Sequence, residues 1–237
     1  MKWVKDKSGR FSQRPHYLLE ELDEEFENLI AKFLAERQGH VIYPVATDDL
    51  AVLIETLVDD LDLYADLSAE AGEVEGVTDF FVERRPTVRI SYRLSEPRMS
   101  NRLRTTLTHE LGHVKFHSFM FASDAVSKSL FDSGQIVVSN KCKRDSILRA
   151  GESNWMEWQA GYACGSFLMP FTALRESVMA FATGRNATIP RFGANTTEGE
   201  ELIDSVVGKF QVSRDAARVR LLQRMYLSEG PAAHTLF

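Results

Sequence analysis

The segment Thr108–His113 carries two histidines and a glutamate at a spacing suited to binding a metal ion and activating water. His109 and His113 are four residues apart, so on a helix their imidazoles share one face, with Cβ atoms about 5 to 6 Å apart. Glu110 lies about a quarter-turn further round, where its carboxylate can reach a water molecule at the metal without being a ligand. The motif predicts half of a zinc site together with a general base.

This chemistry requires the motif to lie on a helix. The segment from Asn101 to Phe119 contains no proline, and Ser100 before it is a good N-cap. Apolar residues recur at helical spacing, namely Leu103, Leu107, Leu111 and Val114. We therefore predict a helix here; the competing interpretation is a solvated helix face with two unrelated histidines.

Zinc needs at least a third protein ligand, and the nearest histidine cannot supply it. His117 shares the face of His109, but eight residues correspond to about 12 Å of helix rise, whereas each Zn–N bond is about 2.0 to 2.1 Å. One ion cannot reach both. We predict that His117 is a core residue or supports the site from behind a ligand.

The best third donor is Glu157, on a helix predicted from Asn154 to Met169. Its face continues with small residues, Ala160, Gly161, Cys164 and Gly165, which would let the metal helix approach closely at its own Gly112. Alternatives remain at this stage. Asn154-x-x-Glu157 also resembles a capping box, and rival acids, Asp124, Asp132 and Glu152, lie in the segment 118–153, which is predicted to be a loop-rich insertion.

Composition limits the class of protein. The chain has 237 residues, is 44% hydrophobic and 10% aromatic, and carries a formal net charge of −6. These values favour a globular domain without general affinity for nucleic acid. No apolar run of 18 residues and no signal peptide are found, so we expect a cytoplasmic protein with no membrane segment. Cys142 and Cys164 are expected to remain thiols, with Cys164 a small buried hydrophobe.

The remaining sequence predicts further elements around the motif. Residues 1–15 are basic, lack an apolar period, and are predicted to be a flexible arm. Helices are predicted at Tyr17–Glu36, Asp48–Asp59 and Phe171–Thr183, and two strands at Gly76–Val82 and Thr87–Tyr92. The second strand leads directly into the metal helix. An exposed sheet edge there would let a peptide substrate add as an extra strand.

The C-terminal part predicts a helix, a turn and a helix at Glu200–Phe210, Gln211–Ser213 and Arg214–Tyr226. Its basic residues, Lys209, Arg214, Arg218, Arg220 and Arg224, could belong to a DNA-binding pair of helices. The acidity of the whole chain favours packing on the catalytic domain or docking of a protein substrate instead.

Several of these segments together resemble one family. The run Leu107–His113, followed by Glu157-x-Gln159-Ala160 and Leu168-Met169-Pro170, is similar to the ImmA/IrrE family of zinc metallopeptidases. The resemblance includes Pro44-Val45 with Asp48-Asp49-Leu50 upstream and Phe210-x-Val212-Ser213 with Arg220-Leu221 downstream, and so spans most of residues 30–222. Members resemble thermolysin locally, are intracellular, often belong to mobile elements or stress responses, and in several cases cut a helix-turn-helix repressor.

The resemblance implies an intracellular zinc endopeptidase in which His109, His113 and Glu157 bind zinc and Glu110 activates water. The expected fold is α+β: a mostly helical, zincin-like domain at residues 16–184 with a small sheet, and a C-terminal helical segment at 185–237 packed on it. Candidates for the oxyanion partner, by residue type alone, are Tyr92, Tyr162 and His117. The alternative function is a non-catalytic, zinc-containing regulator that binds a repressor or DNA.

Overall fold

The computed structural model describes residues 1–70, 72–81, 84–129, 138–143 and 154–229. Its fold is mixed α+β with small sheets, as the sequence predicts. The helices are α1 (Leu19–Gln38), α2 (Thr47–Glu55), α3 (Ser100–Ser129), α4 (Trp155–Leu168), α5 (Phe171–Thr183), α6 (Thr197–Phe210) and α7 (Arg214–Gln223). The strands are β1 (Lys2–Lys5), β2 (Gln13–His16), β3 (Asp60–Ala65), β4 (Val74–Phe80), β5 (Thr87–Ser91), β6 (Val138–Lys143), β7 (Phe192–Gly193) and β8 (Leu227–Ser228).

Most predicted helices are present with shifted ends. Helix α1 begins two residues later than predicted because β2 continues to His16, and it ends at Gly39, whose φ of +78° gives a left-handed C-cap. Helix α2 starts at Thr47 itself, after Ala46, and ends at Glu55 rather than near Asp59, because the chain turns there into β3.

The central sheet has the strand order β3-β5-β4-β6. β3 runs parallel to β5, whereas β4 is antiparallel to both β5 and β6. The two predicted strands correspond to β4 and β5, although β4 spans Val74–Phe80 and the predicted end, Val82, lies outside the described residues. β4 packs on α3 and thereby brings the sheet to the predicted metal helix.

The description of residues 118–153 as a loop-rich insertion was wrong for two parts of that segment. Helix α3 continues to Ser129, and Val138–Lys143 forms β6 on the edge of the central sheet. The stretch reads Val-Ser-Asn-Lys-Cys-Lys, so its β-signal is a weak alternation with two lysines on one face. The strand is stabilised by its pairing with β4, about 60 residues earlier in the chain, because its local sequence favours a strand only weakly.

Helices α3 and α4 pack closely through small residues. A Cβ at Gly112 would lie 2.8 Å from Ala163 Cβ and 3.0 Å from Ala160 Cα. The predicted close approach at Gly112 is therefore present. Gly165, on the predicted strip, faces α7 instead, where its Cβ would meet the Arg220 side chain at 3.0 Å.

The first sixteen residues differ from the flexible arm predicted for 1–15. β1 and β2 form an antiparallel hairpin, and Phe11 between them packs edge-on against Phe121 and Trp155, with ring centroids 5.3 and 6.3 Å apart. The Asp6 carboxylate accepts hydrogen bonds from Ser8 and from the Phe11 backbone N–H, which fixes the turn. The contacts of the Phe11 ring and of the Asp6 carboxylate therefore hold the hairpin in place, although residues 1–15 show no periodic pattern of apolar residues.

The C-terminal helices contribute to the same core cluster as α1 and α4. Arg220 is fully buried and donates to Asp23 Oδ1 at 2.7 Å and to the Met169 carbonyl at 3.3 Å. The other basic side chains of this segment also have partners within the fold: Arg214 and Arg218 contact Glu200, Arg224 contacts Asp23, and Lys209 donates to the Ala173 carbonyl. Arg220 is therefore inaccessible to DNA.

Replacing Arg220 with methionine should strongly destabilise the fold. The substitution leaves the buried Asp23 carboxylate without its closest cation, and breaking a buried pair in this way costs about 3 to 5 kcal/mol. Urea unfolding followed by circular dichroism measures the change. Arg214→Met is the matched control, because its exposed ion pairs contribute about 1 kcal/mol or less; equal stability of both variants would contradict a structural role for the Arg220–Asp23 pair.

Among the residues that the structure describes, no helix is both long enough and apolar enough to cross a membrane.

Candidate metal centre

Three predicted ligands converge between α3 and α4. His109 Nε2 lies 3.0 Å from His113 Nε2 and 3.2 Å from Glu157 Oε2, and His113 Nε2 lies 3.2 Å from Glu157 Oε1. Two ligands bound at about 2.0 to 2.1 Å to one tetrahedral ion lie roughly 3.3 Å apart. The donors His109, His113 and Glu157 are therefore positioned to hold a metal ion.

The Glu157 carboxyl is ionised between the two histidines, as a ligand for a metal cation must be. All three residues are buried, which opposes ionisation of Glu157, yet the imidazoles of His113 and His109 hold the pKa of its carboxyl well below the usual range. The side chain of Asn154 makes no capping hydrogen bond, so α4 does not use Glu157 in a capping box. A buried carboxylate beside two ring nitrogens offers a divalent cation one anionic and two neutral donors.

Glu110 stands beside the donor set and is held by β4. Its Oε2 accepts a hydrogen bond of 2.5 Å from Thr78 Oγ1. A Cβ at Gly76 would overlap the Glu110 carboxylate, so this glycine makes room for it. Within the described residues Glu110 Oε1 is buried and has no hydrogen-bond partner, and burial raises the pKa of the carboxyl. A carboxylate with one free oxygen and a raised pKa is suited to accept a proton.

His117 supports a ligand from behind, as the helix-rise argument predicts. His113 Nδ1 lies 2.8 Å from His117 Nδ1, and His117 Nε2 lies 3.1 Å from Gln159 Oε1. If His113 Nε2 binds the ion, its Nδ1 carries the proton and donates to His117, which then donates to Gln159. Burial lowers the pKa of His117 well below its ordinary value, which keeps this ring neutral. Gln159 Nε2 in turn donates to the Pro15 carbonyl at 3.3 Å, linking the site to the N-terminal hairpin.

Two residues of β6 also reach the site, and sequence reasoning missed one of them entirely. Asn140 Nδ2 lies 2.9 Å from His113 Nε2 and 2.8 Å from Glu157 Oε1. The Cys142 sulfur lies within 4.8 Å of ligand atoms of His109 and Glu110. Burial raises the pKa of the Cys142 thiol to about 12, whereas a coordinated metal ion would favour the thiolate, and Cys142 forms a second possible donor group with His109 and Glu110. The only sequence signal for these two residues was their alternate spacing, Asn140-x-Cys142, which places them on the same face of a strand.

Neither tyrosine predicted as an oxyanion partner is among the three converging donors. Tyr92 is in an exposed 3-10 turn after β5, with 46% of its surface accessible. Tyr162 is buried on another face of α4, where its hydroxyl lies 3.5 Å from the Leu19 carbonyl and Arg220 lies over its ring. Tyr162 points away from Glu157, because residues five apart on a helix face different directions. The side chain of Asp124 and the residues Asp132 and Glu152 lie outside the described part of the chain.

Comparison of the chain with models of protein families and with curated proteins found no match. The arrangement of the site thus carries the functional argument, and the resemblance to ImmA/IrrE peptidases remains a prediction. The site combines two imidazoles and a carboxylate that could hold a divalent cation with a second buried carboxylate, Glu110, close by.

Proposed function

We propose that the protein is a zinc-dependent endopeptidase. The observation that carries this proposal is that His109, His113 and Glu157 converge as donors, while Glu110 is not one of these three and, within the described residues, has one oxygen without a hydrogen-bond partner. Glu110 also belongs to a second possible donor group, with His109 and Cys142, but its free oxygen and raised pKa favour the role of base. Two histidines with a glutamate form one of the ligand sets that zinc uses in catalytic sites, where a fourth position stays open. A purely structural site has no need of a buried base beside it.

The proposed mechanism assigns each side chain a task. Zinc, when bound, would polarise the scissile carbonyl and lower the pKa of water. Glu110 takes the proton from the attacking water and passes it to the leaving amine, while Thr78 holds the other carboxylate oxygen in place. His117 and Gln159 fix the orientation of the His113 ring.

The proposed substrate is a helix-turn-helix transcriptional repressor in a mobile-element or stress-response circuit. This part rests on the resemblance of residues 107–113 and 157–170 to the ImmA/IrrE family. The burial of Arg220 and the pairing of Arg214 and Arg218 with Glu200 support a protein substrate over DNA, because these cations are already neutralised within the fold.

One observation favours the alternative, a regulator that binds a repressor without cutting it. His109, Glu110 and His113 are all 0% exposed, and Asn140 contacts two of the metal-binding atoms, as in a closed site. Closed coordination is the mark of structural zinc sites. The two functions differ in whether a peptide bond is ever broken.

The direct test is proteolysis by purified, zinc-loaded protein. A candidate repressor encoded next to this gene is incubated with the loaded protein, with protein stripped by a chelator, and with stripped protein given zinc again. We expect mass spectrometry to find one defined cut with the loaded and reloaded protein and an intact repressor with the stripped protein. A cut that persists after stripping would contradict a metallopeptidase; stable binding of an uncut repressor in all three arms would support the regulator.

A further inference from the structure

β6 lies along the metal centre, with one face turned toward it. Asn140 reaches His113 and Glu157, and Cys142, two residues further on, reaches His109 and Glu110. The contacts along β6 run in the opposite order to the two histidines along α3, with Asn140 at His113 and Cys142 at His109. The intervening Lys141 points away and pairs with Glu70 at 2.6 Å. β6 therefore covers the metal centre from Asn140 to Cys142.

In the part of the chain that the structure describes, the exposed sheet edge predicted at the second strand is absent, because β5 lies between β3 and β4. On the proposed peptidase function, an extended substrate would instead bind along the side of β4 that pairs with β6. Thr78 on β4 holds Glu110, so a strand added beside Thr78 passes next to the base and the metal donors. Extended peptides bind to such an edge through main-chain hydrogen bonds. In this structure β6 holds that edge: it pairs antiparallel with β4, with Asn140 opposite Thr78.

Asn140 also places an amide, the functional group of a peptide bond, on the metal-binding atoms. Its N–H groups are directed at His113 Nε2 and Glu157 Oε1. These atoms would use the same lone pairs to hold an ion, so the amide in this orientation and the ion compete for them. Asn140 thus lies over the donor atoms, on the side where a catalytic site needs one position open to substrate.

We propose that β6 is an internal blocking strand that occupies the substrate cleft, so that the enzyme is latent until β6 leaves β4. The inference rests on the proposed peptidase function. The substrate would enter as an extended segment and take over the β4 edge, in the same antiparallel direction as β6. β6 is held to β4 by main-chain pairing that an incoming extended segment would replace, whereas the partly exposed Lys141–Glu70 pair on its outer face stabilises little. A strand held in this way can be displaced.

The test uses a peptidic hydroxamate as a probe that binds an accessible metal without turnover. Cobalt-loaded wild type, Asn140→Ala and Asn140→Pro are titrated, and binding is followed by the visible absorption of cobalt. Asn140→Ala removes only the amide, whereas Asn140→Pro also weakens the pairing of β6. Lys141→Gln is the matched control, because it changes the same strand on the face turned away from the site.

We expect the hydroxamate to bind about 10-fold more tightly to Asn140→Pro than to wild type, with Asn140→Ala between them and Lys141→Gln equal to wild type. The apparent affinity is reduced by the fraction of molecules in which the site is open. Hydrogen exchange should show that β6 loses protection when the probe binds to wild type, whereas β4 does not.

Two results would overturn the blocking strand. Equal affinities in all four proteins, with β6 protected throughout, would mean that β6 does not obstruct the site. Loss of cobalt from Asn140→Ala would mean that Asn140 is needed to hold the metal. The peptidase proposal is judged separately. Tighter probe binding by Asn140→Pro without any peptide cleavage supports the blocking strand and counts against the peptidase. Equal peptide cleavage by wild type and Asn140→Pro supports the peptidase and counts against the blocking strand.

Discussion

Replacing Glu110 with glutamine should reduce peptide hydrolysis by about 100- to 10,000-fold, the usual contribution of a positioned general base. Glutamine has nearly the same size and can still accept the hydrogen bond from Thr78, but it cannot take a proton from water. Glu110 is not one of the three converging donors, so the metal content should stay close to that of wild type. The variant thus separates catalysis from metal binding.

The measurement is co-expression of wild type or Glu110→Gln with the candidate repressor, following repressor length and the output of a reporter. Wild type should shorten the repressor and raise the reporter, whereas the variant leaves the repressor whole. Thr78→Val is a useful companion, because it removes the hydrogen bond to Glu110 but keeps the base, and should lower activity less. Equal derepression by Glu110→Gln, with the repressor intact in both cases, would identify the protein as a regulator that acts by binding.

The part of the site that the sequence predicts is the part that local spacing determines. His109 and His113 share a helix face because they are four residues apart, and the rise of the helix predicts the position of His117 behind His113, outside the three-donor group. Glu157 could be predicted because it lies in an apolar helix that is able to approach Gly112 through small residues. In each case a helical period fixes the geometry over a short stretch of chain.

The parts that sequence reasoning missed depend on pairing between distant segments. Asn140 reaches the site only because β6 pairs with β4, and no local pattern determines which strand becomes its neighbour. Thr78 and Gly76 belong to a predicted strand, yet their contact with Glu110 depends on how the sheet packs on α3. Tyr162 was proposed by residue type, which carries no information on direction; the packing of α4 against Arg220 decides where it points.

The second large effect concerns the third ligand. Glu157→Ala removes the only carboxylate among the three converging donors, so the affinity for zinc should fall far more than the 10- to 100-fold typical of residues that merely support a ligand. Zinc present at about 1,000 times its Kd stabilises a folded protein by about 4 kcal/mol. Wild type should therefore gain thermal stability on addition of zinc, and Glu157→Ala should gain little at the same concentration.

Thermal unfolding with and without zinc, together with metal analysis of the purified proteins, measures both consequences of losing Glu157. Wild type should hold about one zinc per chain, the number for which the three donors provide. Glu157→Gln keeps the volume of the side chain and an oxygen but not its charge, and should fall between wild type and Glu157→Ala, because zinc favours an anionic oxygen over a neutral one. His113→Ala should behave like Glu157→Ala, since both remove a donor from the same cluster. Full zinc retention by Glu157→Ala, with occupancy lost instead from Asp124→Ala, Asp132→Ala or Glu152→Ala, would transfer the third ligand to the segment between α3 and α4.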